Sequence, residues 1–219
     1  MKKNSLLILL LISIMVCSCQ NVIRTPNQLM LEDWNKKYSE QKSFFPPELT
    51  NHFPNTLNES IVTFTDNISP EMGSLELMVI DSIKNDSLIP LQKDLESVYI
   101  GKYNSSDSCL LIVDRFLTRS KYYKVENTDY DKRQIERPCY IGLFPVPNFW
   151  HNNFTTTETE CKLPDDFVLY VVDAKQGKYL KEELLTSGWF MPKQWRNGYS
   201  KGIAISCERN IIIYWLVIW

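Results

Sequence analysis

The hydrophobic pattern is clearest at the C-terminal end of the chain. Two apolar runs, at 203–207 and 211–219, are separated by the short polar turn 208–210. Such a pair of runs predicts a β-hairpin. The second run has nine residues, whereas a transmembrane helix needs about 20. Because its apolar side chains do not alternate with polar ones, we expect it to be a central strand of the core.

Other short runs are rich in β-branched and aromatic residues, and each of them predicts a strand. They lie at 61–64, 75–80, 98–103, 109–113, 121–125, 139–144 and 167–172. Pro70 and Gly73 mark a turn between the first two runs. The runs 98–103 and 109–113 lie close enough in the sequence to pair as a hairpin.

A helix is predicted close to the N-terminal end of the domain. Pro26 suits a first helical position, and Leu31, Trp34 and Tyr38 recur at spacings of three and four, which places them on one helix face. Residues 43–58 then hold three prolines, so we expect an extended connection there.

A second, short helix is predicted at 178–186, with Gly188 as its stop. The expected fold class is α+β. It has a mostly antiparallel or mixed sheet, an N-terminal helix, and the short helix before the C-terminal hairpin. We expect residues 59–219 to form a single domain, with the helix and the extended connection at 27–58 in front of it.

The first residues have the composition of an export signal rather than of a folded element. Two lysines precede an apolar stretch at 6–16 that is too short to span a bilayer. Residues 16–19 read Val-Cys-Ser-Cys and resemble the lipobox of bacterial lipoproteins. In that family a branched apolar residue lies three places before the modified cysteine and a small residue directly before it, as Val16 and Ser18 do for Cys19.

The resemblance implies that residues 1–18 are removed as a signal peptide and that Cys19 carries acyl chains, palmitate among them. Residues 19–26 then form a lipidated tether. Gln20 lies where a retention signal for the inner membrane has Asp, so an outer-membrane lipoprotein of the cell envelope is expected. An ordinary cleaved signal peptide with cysteines nearby by chance is the alternative.

The composition indicates a packed domain, because 44% of the residues are hydrophobic and 12% are aromatic. Removal of residues 1–18 leaves 201 of the 219 residues, enough for one domain. It takes away two lysines and no acid, so the formal net charge changes from −2 to −4. A mildly acidic chain is a poor candidate for a nucleic-acid partner, which requires a basic surface.

Four cysteines remain besides Cys19, namely Cys109, Cys139, Cys161 and Cys207. An exported protein can keep disulfides, and four cysteines allow three sets of pairings. Cys139 and Cys161 are nearest neighbours in the sequence, and we predict a disulfide between them. Buried thiols without a bond are the alternative.

The chain lacks the local signatures of common enzyme classes. It has no G-x-S-x-G elbow, no phosphate-binding glycine loop and no H-E-x-x-H, and it holds seven glycines and two histidines. No cofactor and no metal site is predicted. His151 with Cys139 or Cys161 is the best candidate for a base with a nucleophile, and a loop histidine beside structural cysteines is the alternative. The acidic loop at 158–166 offers the carboxylates that glycoside hydrolysis uses, unless it is only a solvated loop.

Residues 175–201 differ in character from the rest of this acidic chain, because they carry six cations and two acids. Aromatic residues are interleaved with these cations, and aromatic faces beside cations suit sugar rings or a protein partner. The candidate binding residues are Trp189, Trp195, Arg196 and Tyr199. In the alternative interpretation the aromatic side chains fill the core while the cations stay in water.

The sequence is compatible with three classes of function. We prefer a membrane-anchored envelope lipoprotein that is a non-catalytic binding or accessory module for a glycan or an envelope protein. The second class is a glycan or peptide hydrolase built on His151 or the acidic loop, and the third is an interaction protein that neutralises or scaffolds an envelope partner. Separately, the triplets 81–83 and 86–88, each Asp-Ser followed by an apolar residue, resemble the acceptor of one bacterial O-glycosylation system.

Overall fold

The computed structural model of the protein describes residues 26–58, 61–67, 74–83, 85–113, 115, 135–149, 159–179, 181–184 and 191–219. The predictions for Cys19, His151, Trp189 and the strand at 121–125 concern residues outside these ranges. The expected signal peptide also lies outside them.

Within these ranges the helices are α1 (Pro26–Ser43), α2 (Pro47–Thr50) and α3 (Asn85–Leu95). The strands are β1 (Ile61–Asn67), β2 (Leu75–Ser82), β3 (Gly101–Asn104), β4 (Val168–Gln176), β5 (Gly198–Ser206) and β6 (Ile211–Ile218). Short 3₁₀ helices lie at Pro138–Tyr140, Glu182–Leu184 and Lys193–Trp195.

The strands form one six-stranded antiparallel sheet in the order β1-β2-β6-β5-β4-β3. β5 and β6 form the hairpin that the C-terminal runs predict, with Ser206 opposite Ile211. β6 lies between β2 and β5, so its prediction as a central strand is confirmed. The α+β class is confirmed as well.

Both faces of the sheet are covered, and this explains why β6 is apolar at successive positions. Side chains alternate between the two faces of a strand. Ile213, Trp215 and Val217 join one hydrophobic cluster, whereas Leu216 and Ile218 join another on the opposite face. A strand buried in this way has no position that favours a polar residue.

The helices cover one face, which we call the helical face. The predicted face of α1 is confirmed, because Tyr38 is buried and Leu31 and Trp34 pack against the same cluster. Residues 44–57 extend this cluster with four buried side chains, Phe45, Leu49, Phe53 and Leu57. α1 and the connection after it are therefore packed on the sheet as part of one unit.

The predicted hairpin of 98–103 with 109–113 is wrong. β3 pairs with β4 instead, with Gly101 opposite Val171. The chain leaves β3 through a turn in which the Asn104 N–H donates to the Asp107 carboxylate at 2.8 Å. The apolar run 109–113 that follows does not pair with β3. Its side chains are buried against one face of the sheet.

The predicted strand at 139–144 is also wrong, because this stretch begins with the end of the 3₁₀ helix Pro138–Tyr140. Gly142 follows with a φ of 81°, a left-handed conformation that favours glycine and ends extended structure. The backbone N–H of Phe144 donates to the hydroxyl of Tyr103 at 2.9 Å, in place of a strand partner.

The helices are only partly those that the sequence predicts. α2 lies inside the stretch 43–58, which we expected to be extended, and α3 was not predicted because Pro90 lies within it. In the stretch 178–186, where a helix was expected, the described residues hold the 3₁₀ helix Glu182–Leu184.

Candidate functional site

Irregular segments cover the face of the sheet opposite the helices. We call this loop-covered side of the sheet the braced face, and its segments are residues 105–113, 135–149 and 159–167. The first two segments run side by side, and the Val113 N–H donates to the Val146 carbonyl at 2.9 Å. Loops held on a rigid scaffold are frequent carriers of function, so this face is a candidate functional surface.

A disulfide joins Cys109 to Cys139 across the first two segments, with their Cα atoms 6.2 Å apart. The predicted bond between Cys139 and Cys161 is therefore wrong. Cys161 is a buried thiol without a disulfide, and its sulfur lies 3.7 Å from the Ser105 carbonyl oxygen. Sequence spacing misled the prediction, because side-by-side packing of the two segments decides which cysteines meet. Cys207 also has no disulfide and is exposed.

Two arginines reinforce the braced face around the disulfide. Arg115 forms an ion pair with Glu160 and donates to the Tyr140 hydroxyl at 2.6 Å. Arg137 lies over the ring of Tyr140, 5.4 Å from its centroid, and donates to the Ser108 carbonyl at 3.0 Å. Charge-assisted bonds of this kind are stronger than neutral ones, and here they tie all three segments together.

Arginines bind two of the described carboxylates of the acidic loop, those of Glu160 and Asp166, whereas Asp165 is exposed. Glu160 lies within ion-pair distance of Arg115 and Arg137. Asp166 accepts hydrogen bonds from the hydroxyl of Ser206 and from Arg209. Burial alone raises the pKa of Asp166, but these hydrogen bonds outweigh it and lower the pKa. A carboxyl group with a lowered pKa is a poor general acid at neutral pH.

Neither cysteine considered as a partner of His151 has the properties of a nucleophile. Cys139 is bonded to Cys109. Burial raises the pKa of the Cys161 thiol, which disfavours the thiolate that nucleophilic attack requires. Cys139 and Cys161 therefore do not supply the thiolate of a pair with His151.

The three described candidate binding residues, Trp195, Arg196 and Tyr199, do not form a common surface. Trp195 is buried and packs near Trp219, with ring centroids 6.2 Å apart. Tyr199 is buried on the helical face and donates to the Asp173 carboxylate at 2.5 Å. Arg196 is exposed. In the described part of this segment, Trp195 and Tyr199 therefore fill the core, as the alternative interpretation predicts.

A buried polar cluster on the helical face was not predicted. Lys201, only 6% exposed, donates to the Glu48 carbonyl at 2.7 Å and to the Asn51 side-chain oxygen at 2.9 Å. Nε2 of His52 lies 2.8 Å from the carbonyl oxygen of Trp215. Because a carbonyl only accepts, Nε2 carries the proton, and the buried Nδ1 has no hydrogen-bond partner.

Burial sets the protonation of this polar cluster. It lowers the pKa of Lys201, with attraction from Asp173 acting in the opposite direction. It also lowers the pKa of His52 to about 4, so the imidazole is neutral at pH 7. Burial and the hydrogen bond to Asp173 raise the pKa of Tyr199, which therefore remains a phenol. Lys201 bonds to Glu48 and Asn51, and His52 bonds to Trp215, so these two side chains fasten the α2 region to the sheet.

No helix among the described residues is long and apolar enough to cross a membrane. In the same part of the chain, no group of three or more His, Cys, Asp or Glu side chains has the arrangement of a metal site. Comparisons of the chain with family models, with curated proteins and with solved structures found no match. Its function therefore has to be inferred from its own residues.

Proposed function

We propose that the protein is an envelope lipoprotein, anchored through Cys19, whose domain is a non-catalytic binding or accessory module. One observation carries the proposal: four of the described side chains considered for catalysis, those of Cys139, Cys161, Glu160 and Asp166, make contacts that hold the fold together. Cys139 lies in a disulfide and Cys161 is a buried thiol. Glu160 and Asp166 are bound by arginines. Such an arrangement stiffens loops that present a surface.

The disulfide also supports an exported location, because structural disulfides persist in oxidising compartments such as the periplasm and the cell surface. It agrees in this respect with the lipobox-like residues 16–19. Several acyl chains on one cysteine give stable membrane attachment, since each buried methylene contributes about 0.8 kcal/mol. Gln20 favours the outer membrane as the site of attachment.

The anchor is tested by mass spectrometry of the mature N-terminus and by membrane fractionation of Cys19→Ala. We expect an acylated Cys19 in the wild type and release of the variant into the soluble fraction with an unchanged Tm. Cys17→Ala is the matched control and should stay in the membrane fraction. A mature N-terminus at another residue, without acyl chains, would overturn the anchor.

The form of the hydrolase alternative that pairs His151 with a cysteine needs a reactive thiolate at Cys161, because Cys139 lies in the disulfide. We expect iodoacetamide to alkylate the exposed Cys207 in the native protein at neutral pH, and Cys161 only after unfolding. Labelling of Cys161 in the native protein as rapidly as Cys207 would favour the hydrolase. The Cys207→Ala variant confirms which thiol is modified.

The partner in this proposal is a glycan or an envelope protein. Burial of Trp195 and Tyr199 removes two aromatic faces on which a sugar ring could stack, so among the described candidate residues Arg196 is the one that is exposed to a glycan. A glycan array comparing the wild type with Arg196→Ala separates the two partners. Binding that the variant loses without a change in Tm supports a glycan. If no glycan binds, an interaction protein with an envelope partner is favoured.

A further inference from the structure

Two adjacent apolar side chains at the start of α1, which we call its first turn, are exposed. Leu29 and Met30 are each 53% exposed, and Gln28 before them is exposed too. Among the described side chains of α1, that of Leu31 is the first that packs against a hydrophobic cluster. Among the described residues, Leu29 and Met30 are the one pair of adjacent large hydrophobic side chains with this exposure. Scattered apolar residues on a surface are ordinary, but adjacent ones at one end of an element are less so.

The rest of α1 is fixed on the domain, which holds this first turn in place. Asn35 exchanges hydrogen bonds of 2.7 and 3.0 Å with the backbone of Leu57. The carbonyl of Pro54 accepts hydrogen bonds from Tyr38 at 2.8 Å and from Lys42 at 3.1 Å. The two exposed side chains cannot turn toward the sheet unless these bonds break.

The chain limits how far the first turn lies from the anchor. Pro26 follows Cys19 by seven residues, and an extended chain covers at most about 3.5 Å per residue. The start of α1 therefore lies within about 25 Å of Cys19. With Cys19 acylated, the first turn of α1 is the part of the described structure that is nearest to the bilayer along the chain.

We propose that the first turn of α1 lies in the interfacial layer of the membrane, with Leu29 and Met30 inserted at the boundary between headgroups and acyl chains. This inference rests on the proposed lipid anchor. Apolar side chains of a helix enter that layer by about 5–10 Å. Two side chains bury too little area to hold the protein without acyl chains, so the contact depends on the anchor and serves to orient the domain.

An environment-sensitive fluorophore placed on the first turn tests the contact. In a Cys207→Ser background, Met30→Cys is labelled with the dye NBD without reductant, so that the disulfide stays intact. The matched control carries the dye at Ile89→Cys on α3, where the native side chain is 73% exposed. The full lipidated protein is reconstituted into vesicles of phosphatidylethanolamine and phosphatidylglycerol that contain a nitroxide-labelled lipid.

We expect the dye at position 30 to shift to the blue on reconstitution, to be quenched by the nitroxide lipid and to lose quenching by aqueous iodide. The dye at position 89 should show none of these changes, and Cys19→Ala should abolish them at position 30. Protein that floats with the vesicles while both dyes remain in water overturns the contact but not the anchor. Failure to float overturns the anchor and this inference with it. A blue shift in the unanchored variant that grows with protein concentration assigns the first turn to self-association and overturns the contact.

Discussion

Removal of the Cys109–Cys139 bond is the most direct perturbation of the braced face. The double variant Cys109→Ala/Cys139→Ala leaves the ion pairs of Arg115 and Arg137 in place and opens a covalent loop whose ends are 30 residues apart. A disulfide stabilises the folded state mainly because it restricts the unfolded chain. The free energy of unfolding should therefore fall without a change of fold.

The size of the effect follows from the loop. For cysteines 30 residues apart, the loop-entropy relation gives about 3–4 kcal/mol. In a domain of this size, 1 kcal/mol moves Tm by about 2–4 °C. We therefore expect the double variant to melt about 10 °C below the wild type. The expected loss of about 3–4 kcal/mol is a large part of the free energy of unfolding of a typical domain, which is about 5–15 kcal/mol.

Urea unfolding followed by tryptophan fluorescence measures the change, and wild-type protein unfolded in reductant should match the double variant. Cys207→Ala removes an exposed thiol and is the control, which should unfold like the wild type. Peptide mapping without reductant identifies the bonded pair. A double variant as stable as the wild type, or a mapped bond between Cys139 and Cys161, would refute the assignment and the role of the disulfide in bracing the loops.

Four other predictions concern the core, the pH dependence of stability and modification. Gly202→Ala should destabilise the domain by about 1–3 kcal/mol in urea unfolding, because the new methyl group would lie 2.6 Å from an indole carbon of β6; unchanged stability contradicts this. Deletion of 212–219 removes seven fully buried side chains, each worth about 1.5–3 kcal/mol, so the truncated chain should fail to fold. A cooperative melt of the truncated chain would show that our placement of the core is wrong. The pKa of His52 falls from 6.5 to about 4 on folding, because the folded state favours the neutral imidazole. The stability that neutral His52 contributes is therefore complete above pH 6.5 and is lost as the pH falls toward 4. Between pH 7 and pH 4.5 the free energy of unfolding should therefore fall by about 2–3 kcal/mol more in the wild type than in His52→Gln. An equal fall in both proteins would contradict the neutral, buried imidazole. Ser82 and Ser87 are both exposed, so Ser→Ala at either one should remove a glycan mass from the intact protein, and a wild-type mass equal to the bare lipidated chain excludes the modification.

The sheet was predictable where burial leaves a local trace in the sequence. β6 is apolar at successive positions because both of its faces are covered, and the face of α1 is marked by residues three and four apart. α3 left such a trace as well: Leu88, Leu91 and Leu95 have helical spacing and pack against one cluster. Pro90 lies inside this helix, and a proline normally indicates that a helix has ended, so the pattern did not predict α3. The missed helix was thus a conflict between two local signals.

The cysteine pairing and the polar cluster were not predictable in this way, since they depend on contacts between distant parts of the chain. Lys201 bonds to Glu48 and Asn51 across 153 and 150 residues. The only local trace is a charged residue inside the otherwise uncharged strand β5. A buried amine without partners is costly, so such a residue indicates that a compensating acceptor exists, although it does not say where in the sequence that acceptor lies.

The polar cluster also connects the proposed anchor to the rest of the molecule. Lys201 and His52 fasten the α2 region to β5 and β6, and α1 is bonded to Pro54 and Leu57 in the same connection. These bonds make α1 a rigid extension of the sheet, whose opposite side carries the braced face. Because α1 packs on one face of the sheet and the braced face lies on the other, the loops stiffened by the disulfide and the arginines are directed away from the side on which α1 lies.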